Sequence, residues 1–349
     1  MLRPLFYIAA FACFFGAALT AHATDGPITV EAAAIPLNAD DPAQLTVGGL
    51  RYLGGLHLTS GSQRFGGISG LRWLGEDRKF LAITDAGDWL RLDLAEDEKG
   101  RLTGIAAAEI GLLTDERGAP MIAKELADAE ALNIRRVAVD GGAERRASVW
   151  FERSHRRQTY RLTEDGRVGA MLSEAPFAPD PPLPNNGGIE AATSIEAGLL
   201  LFAEGARNET GETRAFLRAR CFPGGPGSEP RICTRTLAAP VPAPYRPTDA
   251  VSLRGNRLLL LSRHFSPADG VSVRLDRLTF DPAARTFARA EVAVLAPPLS
   301  VDNFEGISLR REGDRIFLYL VSDDNFNALQ RTLLLKFELT MPAPALAPN

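Results

Sequence analysis

Positive charge is in short supply in this 349-residue chain: 39 Lys and Arg stand against 43 Asp and Glu, a net charge of −4. A mildly acidic chain lacks the basic patches that neutralise phosphates, so nucleic acid is excluded as a partner. Long apolar runs are absent beyond residue 23, which leaves no later segment able to cross a bilayer. Long apolar stretches of helical period are few, and 32 Gly with 24 Pro favour short strands joined by turns. The chain has no Walker-type loop, dinucleotide fingerprint, zinc-ligand spacing or EF-hand spacing, which excludes those nucleotide, zinc and calcium modules.

Residues 1–23 place Arg3 ahead of an apolar run, Leu5 to Leu19, and end in Ala21-His22-Ala23, a small-x-small cleavage site. This is the pattern of a secretory signal peptide cut after Ala23; the rival, an uncleaved anchor, needs a longer run. The mature chain is expected in the periplasm or outside the cell, with no stable membrane insertion. Loss of Arg3 leaves 38 basic against 43 acidic residues, a net charge of −5. Cys13 leaves with the signal, so Cys221 and Cys233 remain, both in one Pro/Gly-rich loop. In an exported protein such a pair is expected as a disulfide, worth about 3 kcal/mol in the chain-entropy model. A metal site is the alternative, without a nearby His or third Cys to support it.

After a polar, Ala/Pro-rich lead-in over 24–44, one plan recurs five times. Each copy has a short strand, a turn and an apolar second strand. The copies begin at Gly67-Ile68-Ser69-Gly70, Asp128-Ala129-Glu130-Ala131, Gly188-Ile189-Glu190-Ala191, Pro247-Thr248-Asp249-Ala250 and Asn303-Phe304-Glu305-Gly306. A third β-prone run follows each second strand. Units of three or four strands at a period near 60 residues are the signature of propeller blades. The expected fold is all-β: a single β-propeller of five or six blades over 45–340, with a C-terminal tail at 341–349. Strands near 47–58 would complete a blade with the C-terminal strand. A β-sandwich is the alternative, and the regular period argues against it. Pro120 to Ala131 reads as a short helix or an exposed connection.

Equivalent blade positions form rings about the propeller axis. The first ring reads Ser69, Glu130, Glu190, Asp249 and Glu305; the second, at the ends of the second strands, reads Asp85, Glu152, Glu204, Arg263 and Asp323. Four acids in each ring are costly if buried without partners, so they call for a cation, basic partners or raised pKa values. Structural pinning of turns is one reading of these acids. A hard cation such as Ca2+ is the second, with Asp85, Glu204, Asp323 and Asp324 as its oxygen donors. Catalysis is the third, with Glu130, Glu190, Asp249 and Glu305 holding metal or activating water. Arg153 and His155, matched in the fourth copy by Arg263 and His264, are candidates for holding an anionic substrate. Ser69 with His155 or His264 as base is a weaker serine alternative, since the Gly-x-Ser-x-Gly spacing is missing.

Taken together, Phe65-Gly66-Gly67-Ile68-Ser69-Gly70, Asp128-Ala129-Glu130-Ala131, Asn186-Gly187-Gly188-Ile189-Glu190-Ala191, Tyr245-Arg246-Pro247-Thr248-Asp249-Ala250 and Asp302-Asn303-Phe304-Glu305-Gly306-Ile307 resemble the phytase-like propeller family described as "esterase-like activity of phytase". The resemblance runs from about Gly48 to Leu339. It implies an exported propeller with esterase or phosphoesterase activity, and it lends support to Ca2+. The expectation is a hydrolase acting on a small ester, a phosphate ester foremost, at an acid-lined channel mouth. The alternative is a non-catalytic binding or scaffold propeller of the cell envelope, because fold alone does not decide function.

Overall fold

The computed structural model describes residues 25–121, 123–223 and 228–340; the signal peptide and the 341–349 tail lie outside the described residues. The chain enters through β1 (Gly26–Ile28), β2 (Val30–Ile35), β3 (Thr46–Val47) and β4 (Leu50–Ser60). Blade I is β5 (Ile68–Trp73), β6 (Lys79–Thr84), β7 (Asp88–Glu96) and β8 (Leu102–Leu112). A one-turn helix, α1 (Lys124–Ala127), leads into blade II: β9 (Ala129–Val139), β10 (Gly142–Phe151), β11 (Arg156–Leu162) and β12 (Val168–Pro176). Blade III is β13 (Ile189–Ile195), β14 (Gly198–Arg207), β15 (Thr213–Cys221) and β16 (Arg231–Ala239). Blade IV is β17 (Arg246–Ser252), β18 (Arg257–Ser266), β19 (Gly270–Asp281) and β20 (Thr286–Leu295). Blade V is β21 (Phe304–Glu312), β22 (Arg315–Ser322), β23 (Thr332–Leu339) and, from the other end of the chain, β4.

The inner strands β5, β9, β13, β17 and β21 each touch the next, and β21 returns to β5, so the ring closes at five blades. Among the described residues no sixth blade forms, because the N-terminal strands join existing sheets. β4 pairs antiparallel with β23, Leu56 opposite Leu334, and β2 adds outside β4. β1 adds beside β8 at the rim of blade I. The 24–44 stretch, read from sequence as a lead-in, therefore supplies two edge strands.

Second strands read as unbroken apolar runs, Leu199–Leu200–Leu201–Phe202 or Leu258–Leu259–Leu260–Leu261, because both their faces are covered by neighbouring blades. Five apolar layers result, one between each pair of blades. Where blade V meets blade I, Glu96 of β7 receives Lys336 Nζ at 2.7 Å, Tyr319 OH at 2.8 Å, Arg310 Nη2 at 2.9 Å and Arg78 Nε at 3.0 Å. Burial works against the Glu96 charge, yet these donors bring its pKa down to about 2. Cys221 and Cys233 form a disulfide linking β15 and β16.

The axis is closed by one ion pair. Arg72, on β5, donates to both oxygens of Asp249 at 2.6 and 2.7 Å and to the carbonyls of Ala192, Ala250 and Ile307 at 3.0 Å each. Asp249 also accepts the Ile307 N–H at 2.9 Å. The pair thus ties blades I, III, IV and V together around the channel.

Candidate functional site

Every inner strand carries a bulge near its start, marked by a register shift against the second strand. A bulge leaves one residue out of the ladder and re-aims its side chain. The residues so placed are Ser69, Glu130, Glu190, Thr248 and Glu305. The three glutamates turn into a single pit of about 220 Å³ at the channel mouth. Ser69 and Thr248 instead bond the next blade, to the carbonyls of Ala129 at 2.5 Å and Phe304 at 3.1 Å.

The first ring is thereby corrected. In blade IV the bulge residue is Thr248, and Asp249 faces the axis, committed to Arg72. It lines no part of the pit. Burial pushes its pKa up, against the pull of Arg72.

The second strands supply the other wall, from the residue directly after β6, β10 and β22 and from within the last part of β14 and β18. Asp85, Glu152, Glu204, Arg263 and Asp323 all line the pit. In four blades this position is fixed by a backbone bond to the residue just before the inner strand's first paired residue or its neighbour. Asp85 bonds Gly67 at 2.9 Å, Glu152 bonds Asp128 at 2.9 Å, Glu204 bonds Gly188 at 3.1 Å, and Asp323 bonds Asn303 at 2.9 Å. Glycine is needed beside these acids. Gly67 has φ +62°, and a Cβ there would run into Asp85 Oδ1 and the Phe326 ring; a Cβ on Gly188 would lie 2.9 Å from Glu152 Cγ.

Lys124, Asp128 and Asn186 line the pit and were not among the sequence candidates. Lys124 Nζ meets Asp85 Oδ2 at 2.7 Å and Asp128 Oδ1 at 2.5 Å, and Arg153 Nε meets Asp128 Oδ2 at 2.7 Å. The i,i+4 spacing of Lys124 and Asp128 was the available signal. Burial opposes the Lys124 charge, but Asp128 and Asp85 outweigh it and raise its pKa.

The remaining candidates lie elsewhere. Asp324 is spent holding its own loop and tying it to blade I, accepting from the Phe326 and Gly67 N–H groups at 3.1 Å and from Thr332 Oγ1 at 2.9 Å. His155 sits in a turn at φ +41°, with its N–H on Glu152 O, and does not line the pit. His264 packs edge-on against Tyr245 and lines an adjoining hollow of about 320 Å³ with Glu204, Arg246 and Arg263. Ser69 is buried and bonded to backbone, so the serine alternative has no exposed nucleophile.

The pit is a crowd of like charges. Burial, then the charges of Glu190 and Glu305, holds Glu130 well above the usual carboxylate range. Glu190 is raised likewise by burial and by Glu152 and Glu204, and it shares a hydrogen bond with Glu152. Burial lifts Glu305 to about 7 against Arg263 and Asn303, and burial with Glu305 lifts Asp323 to about 8. Donor oxygens of Asp128, Glu130 and Glu152 lie within 4.8 Å of one another, as do those of Glu152, Glu190 and Glu204. Such spacing suits an oxygen-ligated cation with bonds of about 2.3–2.6 Å. The second triad is the less neutralised. Asp128 is held by Lys124 and Arg153, whereas Glu204 meets Arg246 and Arg263 only at 3.6 and 3.8 Å. Asp85 Oδ1, buried without a hydrogen-bond partner among the described residues, is a further open acceptor. These residues fit a bound cation.

Raised carboxyl pKa values set a sign for stability. Glu305 and Asp323 move from 4.5 and 3.8 in the unfolded chain to about 7 and 8, so the folded state holds more protons across that window. Stability therefore falls as pH rises from about 4 to about 8. Melting temperature in EDTA should drop across this range, and Ca2+ should remove most of the drop. A flat profile in EDTA would contradict the crowding described.

A model of the family "Phytase-like: Esterase-like activity of phytase" matches residues 63–326. No curated protein matches the chain. Among solved structures, the major allergen Mala s 1 of Malassezia sympodialis is similar at 11% identity, over 77% of this chain and 92% of that one, with a TM-score of 0.39. The Cps50 (Swd1) β-propeller domain of Myceliophteria thermophila is similar at 11% identity, over 90% and 100%, with a TM-score of 0.37. Both likenesses are too distant to bear on function.

Proposed function

Because the chain belongs to the phytase-like family described by its esterase-like activity, we propose that it hydrolyses a small ester, a phosphate ester foremost, in the acid-lined pit. The observation that carries this is convergence: three bulge glutamates and one residue at or near the end of each of the five second strands meet in one cavity. Glu152, Glu190 and Glu204 would hold a hard divalent cation, Ca2+ by its preference for several carboxylate oxygens. When bound, such an ion supplies positive charge against a phosphoryl oxygen. Arg263 and Arg153, at the rim, present planar donors to the anionic substrate. Glu305 would take one proton of the incoming water as its oxygen bonds to phosphorus, and Glu130, its carboxyl held well above the usual carboxylate range, would give its proton to the ester oxygen as the P–O bond breaks and the alcohol leaves. The disulfide suits an oxidising compartment, in keeping with action in the periplasm or outside the cell.

The test is turnover of p-nitrophenyl phosphate, p-nitrophenyl acetate and phytate by the mature protein, in Ca2+ and in EDTA. Phosphate-ester hydrolysis lost in EDTA is the expected result. No turnover of any substrate, with no Ca2+-dependent shift in melting temperature, would overturn the proposal. One observation favours a binding or scaffold role instead: the chain Asp85–Lys124–Asp128–Arg153 already neutralises one wall without a cation. Ca2+ binding without turnover would point there.

A further inference from the structure

Blades II and III share an apolar layer built on Trp150, Ile189 and Phe216. Farther along the strands the interface turns polar. Asn133, Ser148 and Thr159 oppose one another across β9, β10 and β11. Asn133 Nδ2 reaches Ser194 Oγ of blade III at 3.1 Å, while Ser148 and Thr159 hydroxyls meet only at 3.4 Å. Strand periodicity puts three arginines on these same facing surfaces. Arg135 lies two residues past Asn133, Arg157 two residues before Thr159, and Arg218 two residues past Phe216.

No side-chain hydrogen bond or ion pair joins any of the three to another described residue. Arg157 Nε and Arg218 Nε are buried without an acceptor. Their charges bear on each other: burial and then the neighbouring guanidinium groups lower the pKa of Arg157, and burial and Arg135 lower that of Arg218. Elsewhere the fold gives its buried guanidinium groups partners, Asp249 for Arg72, Glu174 for Arg156 and Glu96 for Arg310. Arg157 and Arg218 are half-buried, and a buried donor without an acceptor, such as each Nε, costs stability.

We propose that this inter-blade arginine cluster binds a small oxyanion of the phosphate or sulfate class. Tetrahedral oxygens offer the paired acceptors that guanidinium groups take best, and the hydroxyls of Ser148 and Thr159 lie in the row between those of Arg135 and Arg157 to donate further. Arg135, exposed on β9, leaves the cluster open to solvent. The site is separate from the acid pit, since none of its residues lines that cavity.

The experiment melts the mature protein in chloride, sulfate or phosphate at matched ionic strength, with EDTA present so that no cation draws phosphate into the pit. Sulfate and phosphate should raise the melting temperature saturably, by about 4 °C at a hundredfold excess over Kd, and chloride should not. Arg157→Gln and Arg218→Gln should each abolish most of that rise, while melting at or above the wild type in chloride because an uncompensated charge is gone. Should either fail to fold, Arg135→Gln at the exposed position reads the same loss. Equal melting in all three salts would overturn the proposal. So would a rise that survives the arginine substitutions, or one lost in Arg263→Gln, which would place the anion in the pit.

Discussion

Glu305→Gln should lower turnover of p-nitrophenyl phosphate by about 10²–10⁴-fold, the range for loss of a positioned acid–base group. The loss should fall on kcat, because glutamine keeps the size of the side chain and cannot carry the proton. Glu305 is placed for the task by its bulge. Asn303 Nδ2 holds Oε1 at 2.9 Å, Arg263 lies 3.3 Å away, and a pKa near 7 lets the carboxyl exchange protons at neutral pH. Stability should move the other way. Removing one carboxylate from a cavity shared with Glu130, Glu190 and Asp323 relieves repulsion, so the variant should melt no lower than the wild type. Arg263→Gln, by contrast, should raise KM more than it lowers kcat, since its part is to hold the anion. Turnover in Glu305→Gln within twofold of the wild type would remove this residue from the chemistry.

Asp249→Asn should cost about 3–5 kcal/mol of folding stability, read as a shift in the urea midpoint, with turnover per folded molecule unchanged. The asparagine leaves Arg72 buried on the axis with its charge uncompensated, while the carbonyls of Ala192, Ala250 and Ile307 still surround it. Four blades contribute to this one knot, so the damage should spread around the ring. The double variant Arg72→Met/Asp249→Leu removes both charges and should recover most of the loss, because a buried ion pair exchanged for apolar groups is often close to neutral. If Asp249→Asn instead folded normally and lost activity, Asp249 would belong to the reaction and the axial ion pair would be incidental.

That Asp249 plugs the channel could not be seen by aligning copies. Matching Pro-Thr-Asp-Ala against Gly-Ile-Glu-Ala sets acid against acid, whereas the bulge in β17 selects Thr248. In a strand a one-residue slip moves a side chain to the opposite face, and Thr248 does in blade IV what Ser69 does in blade I. The same slip separates Asp323, which lines the pit, from Asp324, which holds its own loop. The second ring needed no such choice, because strand ends are marked by the close of an apolar run, as at Phe151-Glu152 and Ala203-Glu204. Outer strands were harder to read. β8 and β16 are half exposed and rich in Ala, Gly, Thr and Arg, so their alternation is faint. Lys124 and Asp128 were not read as site residues because one turn of helix is too short to show which way its side chains face.

Crystals of the mature protein grown with Ca2+, with the ion located by its anomalous scattering, address the acid pit most directly. An ion bound by Glu152, Glu190 and Glu204 in wild-type protein, and missing from Glu190→Gln, is the predicted outcome. A pit that stays empty of the ion at saturating Ca2+, or an ion bound only outside it, would contradict the reading of these carboxylates as a metal-assisted hydrolytic centre.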